Sequence, residues 1–138
     1  MRILIIEDNH YMVQKILSAL PDRSPEHIDL VSVVPDLKSA YRIVELLKVQ
    51  KNLSKQPENH YDILLIDHDL PDGNGTWFLR NYKDKFKYII AISSIPENNK
   101  RLIENGAHDQ VLKMEKGYEK IIAKKIQIIF ENEDKSRK

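Results

Sequence analysis

The chain has 138 residues, the length of one ordinary domain. Apolar residues make up 41% and charged residues 31%, and 22 Lys and Arg balance 21 Asp and Glu, which excludes intrinsic disorder and a strongly basic surface for nucleic acid. The lack of cysteine excludes disulfides, thiolate metal sites and a cysteine nucleophile. No apolar run approaches the ~20 residues of a membrane helix, and the N-terminus lacks an export-signal pattern. We therefore expect a cytoplasmic protein without direct membrane or nucleic-acid contact.

Short apolar runs alternate with segments of helical periodicity along the chain. The runs that predict strands are 3–6, 28–34, 63–66, 88–92 and, more weakly, 110–114. The segments that predict helices are 10–20, 37–49, 76–83, 97–105 and 116–131. The strongest runs are continuously apolar, which is typical of strands covered on both faces. Five repeats of strand and helix predict an open, doubly wound α/β domain with a parallel sheet.

Turn and cap residues set the predicted helix ends and the extent of the domain. Asp36 is placed to cap the second helix, and Gly106 is placed to end the fourth. The polar stretch 50–60 predicts a helix extension followed by a surface loop, which is either a tolerated insertion or a partner contact. We expect one domain over residues 1–131 and a frayed polar tail over 132–138.

Polar side chains follow the predicted strands at their carboxyl ends, where ligands bind in an open parallel sheet. These residues are the carboxylates Glu7, Asp8, Asp67 and Asp69, the hydroxyl of Ser93 and the ammonium of Lys113. Converging carboxylates repel each other unless a cation lies between them, and oxygen ligands favour Mg²⁺ over Zn²⁺. A divalent ion beside a free carboxylate oxygen suits phosphoryl transfer, in which a Lys and a hydroxyl pair with the phosphoryl oxygens.

At these residues the sequence resembles the receiver domain of two-component response regulators, of the stand-alone, single-domain type. The matching residues are Glu7 and Asp8 after the first strand, Asp67 with Pro71 four and Gly75 eight positions later, Ser93 after the fourth strand, and Lys113 seven positions after Gly106. The resemblance covers about residues 1–131. It implies a flavodoxin-like fold, in which five parallel strands in the order 2-1-3-4-5 are covered by five helices.

The resemblance also implies a role for each matching residue. Asp67 would accept a phosphoryl group from a phosphohistidine on a sensor histidine kinase or a histidine phosphotransfer protein. The Mg²⁺ ligands would be Glu7, Asp8, Asp67 and the backbone carbonyl of Asp69. Ser93 and Lys113 would pair with the phosphoryl group. The protein would be a signalling switch rather than an enzyme, although it would assist its own phosphorylation and dephosphorylation. Its output would pass to an unidentified protein partner or along a phosphorelay.

Three features depart from the family pattern. Met114 follows the lysine where the family usually has Pro, and Gln110 stands where it usually has an aromatic residue. The segment from Ser93 to Gly106 is also two or three residues shorter than is common. The usual aromatic relay is therefore absent, and we expect intact phosphorylation chemistry with a modified readout.

Two other functions stay open. A receiver-like interaction module that is not phosphorylated would fit Gln110 and Met114, although the retained acidic residues and lysine argue against it. A Mg²⁺-dependent phosphatase with an aspartate nucleophile would fit the resemblance of Asp67-x-Asp69 to the DxD motif of haloacid-dehalogenase-like phosphatases. Those enzymes carry a hydroxyl residue where this chain has Pro71.

Other conspicuous residues have simpler interpretations. None of the five histidines has the spacing of a metal site, and we expect His68 to face solvent beside the acceptor. Trp77 is expected to pack at the start of the third helix. The last helix is apolar beyond its main face, at Ile121 and Ile128. Core packing is the first interpretation of those residues, and a homodimer or partner surface is the second.

Overall fold

Apolar strands alternate with helices in the computed structural model, which describes residues 1–20, 30–54 and 61–136. The sheet strands are β1 Arg2–Ile6, β2 Leu30–Val34, β3 Ile63–Ile66, β4 Tyr88–Ser93 and β5 Asp109–Leu112. The α-helices are α1 His10–Ala19, α2 Leu37–Ser54, α3 Gly75–Tyr82, α4 Pro96–Glu104 and α5 Tyr118–Ser136. A two-residue hairpin lies between β3 and α3, formed by Asp69–Leu70 and Gly73–Asn74. A short 3-10 turn, Lys83–Lys85, follows α3.

The sheet is entirely parallel, with strand order β2-β1-β3-β4-β5. The chain steps outward from β1 to β2 and then returns to β3 on the other side of β1. Because parallel crossovers are right-handed, this reversal places helices on both faces of the sheet. The predicted fold class and strand order are confirmed.

Strand side chains point alternately into two apolar cores. The core beneath α2, α3 and α4 contains Leu4, Ile6, Leu64, Ile66, Ala91, Phe78 and Leu102. The core beneath α1 and α5 contains Ile3, Ile5, Ile63, Leu65, Ile16, Ile122 and Ile126. Each fully buried Ile or Leu contributes about 1.5–3 kcal/mol, so the three inner strands β1, β3 and β4 anchor the fold. None of the helices in the described part of the chain is both long and apolar enough to cross a membrane.

The predicted caps on α2 and α4 are confirmed. The Oδ1 of Asp36 accepts a hydrogen bond of 2.8 Å from the Ser39 amide. Gly106 has φ +120°, and the amide of Ala107 donates to the Leu102 carbonyl over 2.9 Å. A glycine ends α4 because side-chain-bearing residues rarely adopt this positive φ.

Both long helices extend beyond their apolar periodicity. The helix α2 continues to Ser54, as the expected extension requires, and the predicted loop over 55–60 lies outside the described residues. The helix α5 continues to Ser136, so residues 132–136 of the predicted polar tail are helical. Tertiary contact explains the extra turns, because the Tyr88 hydroxyl donates to Oε1 of Glu133 over 3.1 Å.

Trp77 lies at the start of α3 but is not a core residue. Its side chain is 54% exposed, whereas Phe78 and Leu79 have no exposed area. The reason is helical geometry, since α3 turns those two residues toward the sheet and leaves the preceding position outside. Trp77 therefore reports on the surface next to the hairpin rather than on the core.

Candidate functional site

The register of β1 and β3 assembles the carboxylates at one edge of the sheet. Ile6 pairs with Ile66, so that Glu7 and Asp67 follow neighbouring strand ends. The amide of Asp67 donates to the Ile6 carbonyl over 3.1 Å, which continues the ladder into the site. One carboxylate oxygen from each of Glu7, Asp8 and Asp67 lies within 4.8 Å of the others. We call these three residues the acidic edge.

Lys113 reaches the acidic edge from the end of β5. Its amide donates to the Ser93 carbonyl over 3.0 Å, and its Nζ lies 2.7 Å from Oε2 of Glu7 and 3.1 Å from Oδ2 of Asp67. The three side chains are only 6%, 1% and 8% exposed, respectively. The lysine holds this position with Met114, rather than Pro, as the following residue.

Burial dominates the electrostatics of these groups. It raises the pKa of Glu7, and the nearby Asp67 carboxylate raises it further. Burial also raises the pKa of Asp67, and Lys113 only partly opposes this. For Lys113, burial lowers the pKa, but the attraction of Asp67 and Glu7 outweighs it, so the net pKa is raised and the ammonium stays charged.

The acidic edge fits a divalent cation such as Mg²⁺. It offers oxygen donors only, with Glu7 and Asp67 buried and Asp8 exposed. Lys113 supplies one positive charge against three carboxylates, so an excess of negative charge remains in a desolvated place. A hard dication with oxygen ligands compensates such an excess.

A glycine allows α3 to begin against the residue at the end of β3. The amide of Gly75 donates to the His68 carbonyl over 2.8 Å. A Cβ at Gly75 would overlap the Asp67 carbonyl oxygen. Residues 67–75 therefore form a tight segment, here called the acceptor loop. Asp72 fastens this loop to α2, because its carboxylate accepts from the amides of Leu37 at 2.9 Å and Lys38 at 3.0 Å.

His68 is buried, so the expectation that it faces solvent is wrong. Only 5% of the residue is exposed. Its Nδ1 lies 2.9 Å from Oδ1 of Asp69, and the other oxygen of Asp69 accepts from Nδ2 of Asn98 over 3.1 Å. The imidazole is thus held inside by a carboxylate that is itself attached to α4. The side chain of Asp69 remains 65% exposed.

Ser93 and Gln110 occupy different surroundings. Ser93 is 2% exposed at the end of β4, and its Oγ accepts from the Ile95 amide over 3.2 Å. Gln110 is exposed on the edge strand β5. The Ser93 hydroxyl therefore lies at the carboxyl edge of the sheet, on the strand adjacent to β5, which leads to Lys113. Its hydrogen bond with the Ile95 amide ties it to the start of α4.

Sequence reasoning missed two consecutive asparagines in the first turn of α4. Asn98 is 6% exposed and Asn99 is 1% exposed. The Nδ2 of Asn99 donates to the carbonyl oxygens of Val111 at 3.1 Å and Ser93 at 3.5 Å. The sequence did offer one signal, because Asn98 and Asn99 follow closely after the end of β4 at Ser93. Polar side chains that are buried at such a place need hydrogen-bond partners from the sheet edge.

Solved structures are similar to this chain over nearly its whole length, whereas no protein-family model and no curated protein matches the sequence. The response regulatory domain of mrkE from Klebsiella pneumoniae is 20% identical, with a TM-score of 0.65, and the match covers 96% of this chain and 99% of that one. The receiver domain of Francisella response regulator 1452 is 19% identical, with a TM-score of 0.69, and the match covers 95% and 97%. The response regulator domain of Thermotoga maritima CheB is 18% identical, with a TM-score of 0.65, and the match covers 96% and 94%. The chain has the fold of response regulator receiver domains.

Proposed function

We propose that this protein is a phosphorylation-controlled signalling switch that accepts a phosphoryl group on Asp67. The donor would be a phosphohistidine on a sensor histidine kinase or a histidine phosphotransfer protein. The observation that carries the proposal is the buried Lys113 ammonium between Glu7 and Asp67, with Asp8 beside them, at the carboxyl edge of a receiver fold. Receiver-like folds also occur without this chemistry, so the charged constellation supports the function more than the fold does.

In the transfer step, a carboxylate oxygen of Asp67 attacks the phosphorus of the donor. The new P–O bond replaces the P–N bond, and the leaving imidazole keeps the electron pair and takes up a proton. When bound, Mg²⁺ supplies charge neutralisation on the transferring group, and its ligands would be Glu7, Asp8, Asp67 and the Asp69 carbonyl. Lys113 partly offsets the rise that burial causes in the pKa of Asp67, and it would then pair with a phosphoryl oxygen as a point charge.

Ser93 would form a hydrogen bond with the new phosphoryl group. Its hydroxyl now accepts from the Ile95 amide, and in the phosphorylated protein it would donate to a phosphoryl oxygen. Asp69 fits poorly as the general acid of a phosphatase, because its two oxygens are held by His68 and Asn98. A protein partner would recognise the phosphorylated form, or the phosphoryl group would pass to the next protein of a phosphorelay.

The test is binding of beryllofluoride, which mimics an acyl phosphate, to the wild type and to Asp67→Asn. We expect binding that requires Mg²⁺ and that the substitution abolishes. Amide NMR shifts at Ser93 and Lys113 would follow the site, and Trp77 fluorescence would follow the surface beside the acceptor loop. Asp84→Asn is the matched control, because Asp84 is exposed in the 3-10 turn away from the acidic edge.

Two results would contradict the proposed function. One is no binding to the wild type at millimolar Mg²⁺, which would leave a constitutive interaction module as the better account. The other is equal binding to wild type and Asp67→Asn, which would show that beryllofluoride does not bind at Asp67.

A further inference from the structure

The first turn of α4 is fastened to the carboxyl edge of the sheet by side chains rather than by a cap of its own. The residue before the helix, Ile95, provides no side-chain cap, and its amide donates to Oγ of Ser93. The next two ties come from Asn98, which donates to Asp69, and from Asn99, which donates to Val111 and Ser93 carbonyls. The start of α4 thus depends on the same residues that adjoin the proposed acceptor.

A run of side-chain hydrogen bonds leads from the acceptor loop across α4 to solvent. Oδ1 of Asp69 lies 2.9 Å from Nδ1 of His68, and Oδ2 accepts from Asn98 over 3.1 Å. Oδ1 of Asn98 in turn accepts from Nη1 of Arg101 over 3.1 Å. Arg101 is exposed on α4. A change at the acceptor loop therefore has a continuous path to the exposed surface of this helix.

The present position of α4 leaves a buried acceptor without a partner. Within the part of the chain that the structure describes, Oδ1 of Asn99 makes no hydrogen bond, and the bond from its Nδ2 to Ser93 is long, at 3.5 Å. Buried polar atoms are nearly always paired, so an unpaired one calls for a structural reason. A small shift of the first turn would change the surroundings of this amide.

We propose that the hydrogen bond between Asp69 and Asn98 is a latch that holds α4 in its unphosphorylated position. This inference rests on the proposed function. A phosphoryl group on Asp67 adds negative charge beside Asp69, whose 65% exposed carboxylate would turn into solvent and release Asn98. Ser93, on turning toward the phosphoryl group, releases the Ile95 amide at the same time. Asn98 is thus a positioning residue, and the coupling needs no aromatic side chain at Gln110.

The latch is tested by measuring beryllofluoride affinity at saturating Mg²⁺ through amide NMR. Asn98→Ala removes a restraint on the unliganded state only, so we expect about tenfold tighter binding, the equivalent of one charge-assisted hydrogen bond. The amide shifts of Leu102 and Ile103 in the free variant should move toward their bound wild-type positions. Asp69→Ala breaks the latch from the exposed side and should tighten binding to the same extent.

Two further variants separate the latch from a general loss of structure. The exchange Asp69→Asn with Asn98→Asp restores a carboxylate–amide pair and should return the affinity to within about twofold of wild type. Asn81→Ala removes an exposed amide that donates to the Trp77 carbonyl within α3, and it should change neither the affinity nor the α4 shifts.

The outcomes distinguish the latch from the function on which it rests. If the wild type binds and both latch variants bind with wild-type affinity and unchanged α4 shifts, the latch is overturned and the proposed function stands. If the wild type itself does not bind with Mg²⁺, both are overturned. Tighter binding by the single variants that the exchange reverses supports the latch.

Discussion

Lys113 stabilises the two buried carboxylates beside it, those of Glu7 and Asp67. Its Nζ is 2.7 Å from Glu7 and 3.1 Å from Asp67. Lys113→Met leaves two carboxylates facing each other in a desolvated place, and breaking a buried ion pair costs about 3–5 kcal/mol. We expect the free energy of unfolding at pH 7 to fall by about 3 kcal/mol. The loss should shrink at lower pH, because the carboxylates with raised pKa values take up protons.

Urea denaturation at pH 7 and pH 5 measures the effect of that substitution, with Lys87→Met as the control. Lys87 is 51% exposed and lies 3.7 Å from its Asp62 partner, so its removal should cost less than about 1 kcal/mol. Equal losses for the two lysine variants would mean that Lys113 is no more important to the fold than a surface lysine.

Individual site residues could be predicted from the sequence where the backbone alone determines their place. Glu7, Asp67 and Lys113 come together because parallel strands end at one edge, and their neighbours in sequence are enough to locate those ends. Side-chain direction in the acceptor loop was not predictable in the same way. His68 turns inward and meets Asp69, whose other carboxylate oxygen accepts from Asn98 of α4, 29 residues further along the chain.

At the level of elements, α2 starts from two aspartates that belong to different parts of the chain. Asp36 accepts from the Ser39 amide, whereas Asp72 reaches across from the acceptor loop to the amides of Leu37 and Lys38. The hydrogen bonds to Ser39 lower the pKa of Asp36 below 3.8. Its stabilising contribution is therefore complete at pH values above 3.8 and is lost as the pH falls through the lowered pKa.

We expect Asp36→Ala to lower the free energy of unfolding by about 1 kcal/mol at pH 7, the typical loss for a removed N-cap. The difference from wild type should diminish as the pH falls below 3.8, because the wild-type carboxyl then becomes protonated. Thermal melting at pH 7 and at pH 3 tests both statements. Asp84→Ala, at an exposed position in the 3-10 turn, should change stability by less than about 0.5 kcal/mol. A loss for Asp36→Ala that is independent of pH would show that the carboxylate is not what caps the helix.

The elements themselves follow from periodicity, but their ends depend on contacts that periodicity does not contain. The apolar pattern of α5 stops near Phe130, yet the helix runs on to Ser136 because Glu133 meets Tyr88 at the opposite end of the sheet. The acceptor loop is likewise attached to α2 by Asp72 and to α4 by Asp69, through bonds between distant parts of the chain. These attachments make the loop a junction between two helices on the same face of the sheet.

In the whole molecule, the acidic edge opposes folding while the rest of the structure supports it. Burial raises the pKa of Asp67, which means that the carboxyl holds its proton more tightly in the folded protein than in the unfolded chain. Stability from this group is thus complete below 3.8, falls as the pH rises through the native pKa, and stays low at neutral pH. A neutral isostere removes that penalty. We expect Asp67→Asn to be more stable than wild type at pH 7, by roughly 1 kcal/mol, and equal to it below pH 3.8.

Mg²⁺ should reverse this order of stability, because a cation that binds only the folded protein stabilises it. At ten times its dissociation constant, it would add about 1.4 kcal/mol to the wild type, and the gain should be much smaller in Asp67→Asn, which lacks one carboxylate of the acidic edge. Melting curves with MgCl₂, compared with NaCl at equal ionic strength, separate binding from screening. Equal shifts in the two proteins, or an equal effect of NaCl, would show that the carboxylates of Glu7, Asp8 and Asp67 do not act together as a cation site. A shift confined to wild type would tie the instability of the free protein to the same charges that the proposed phosphorylation needs.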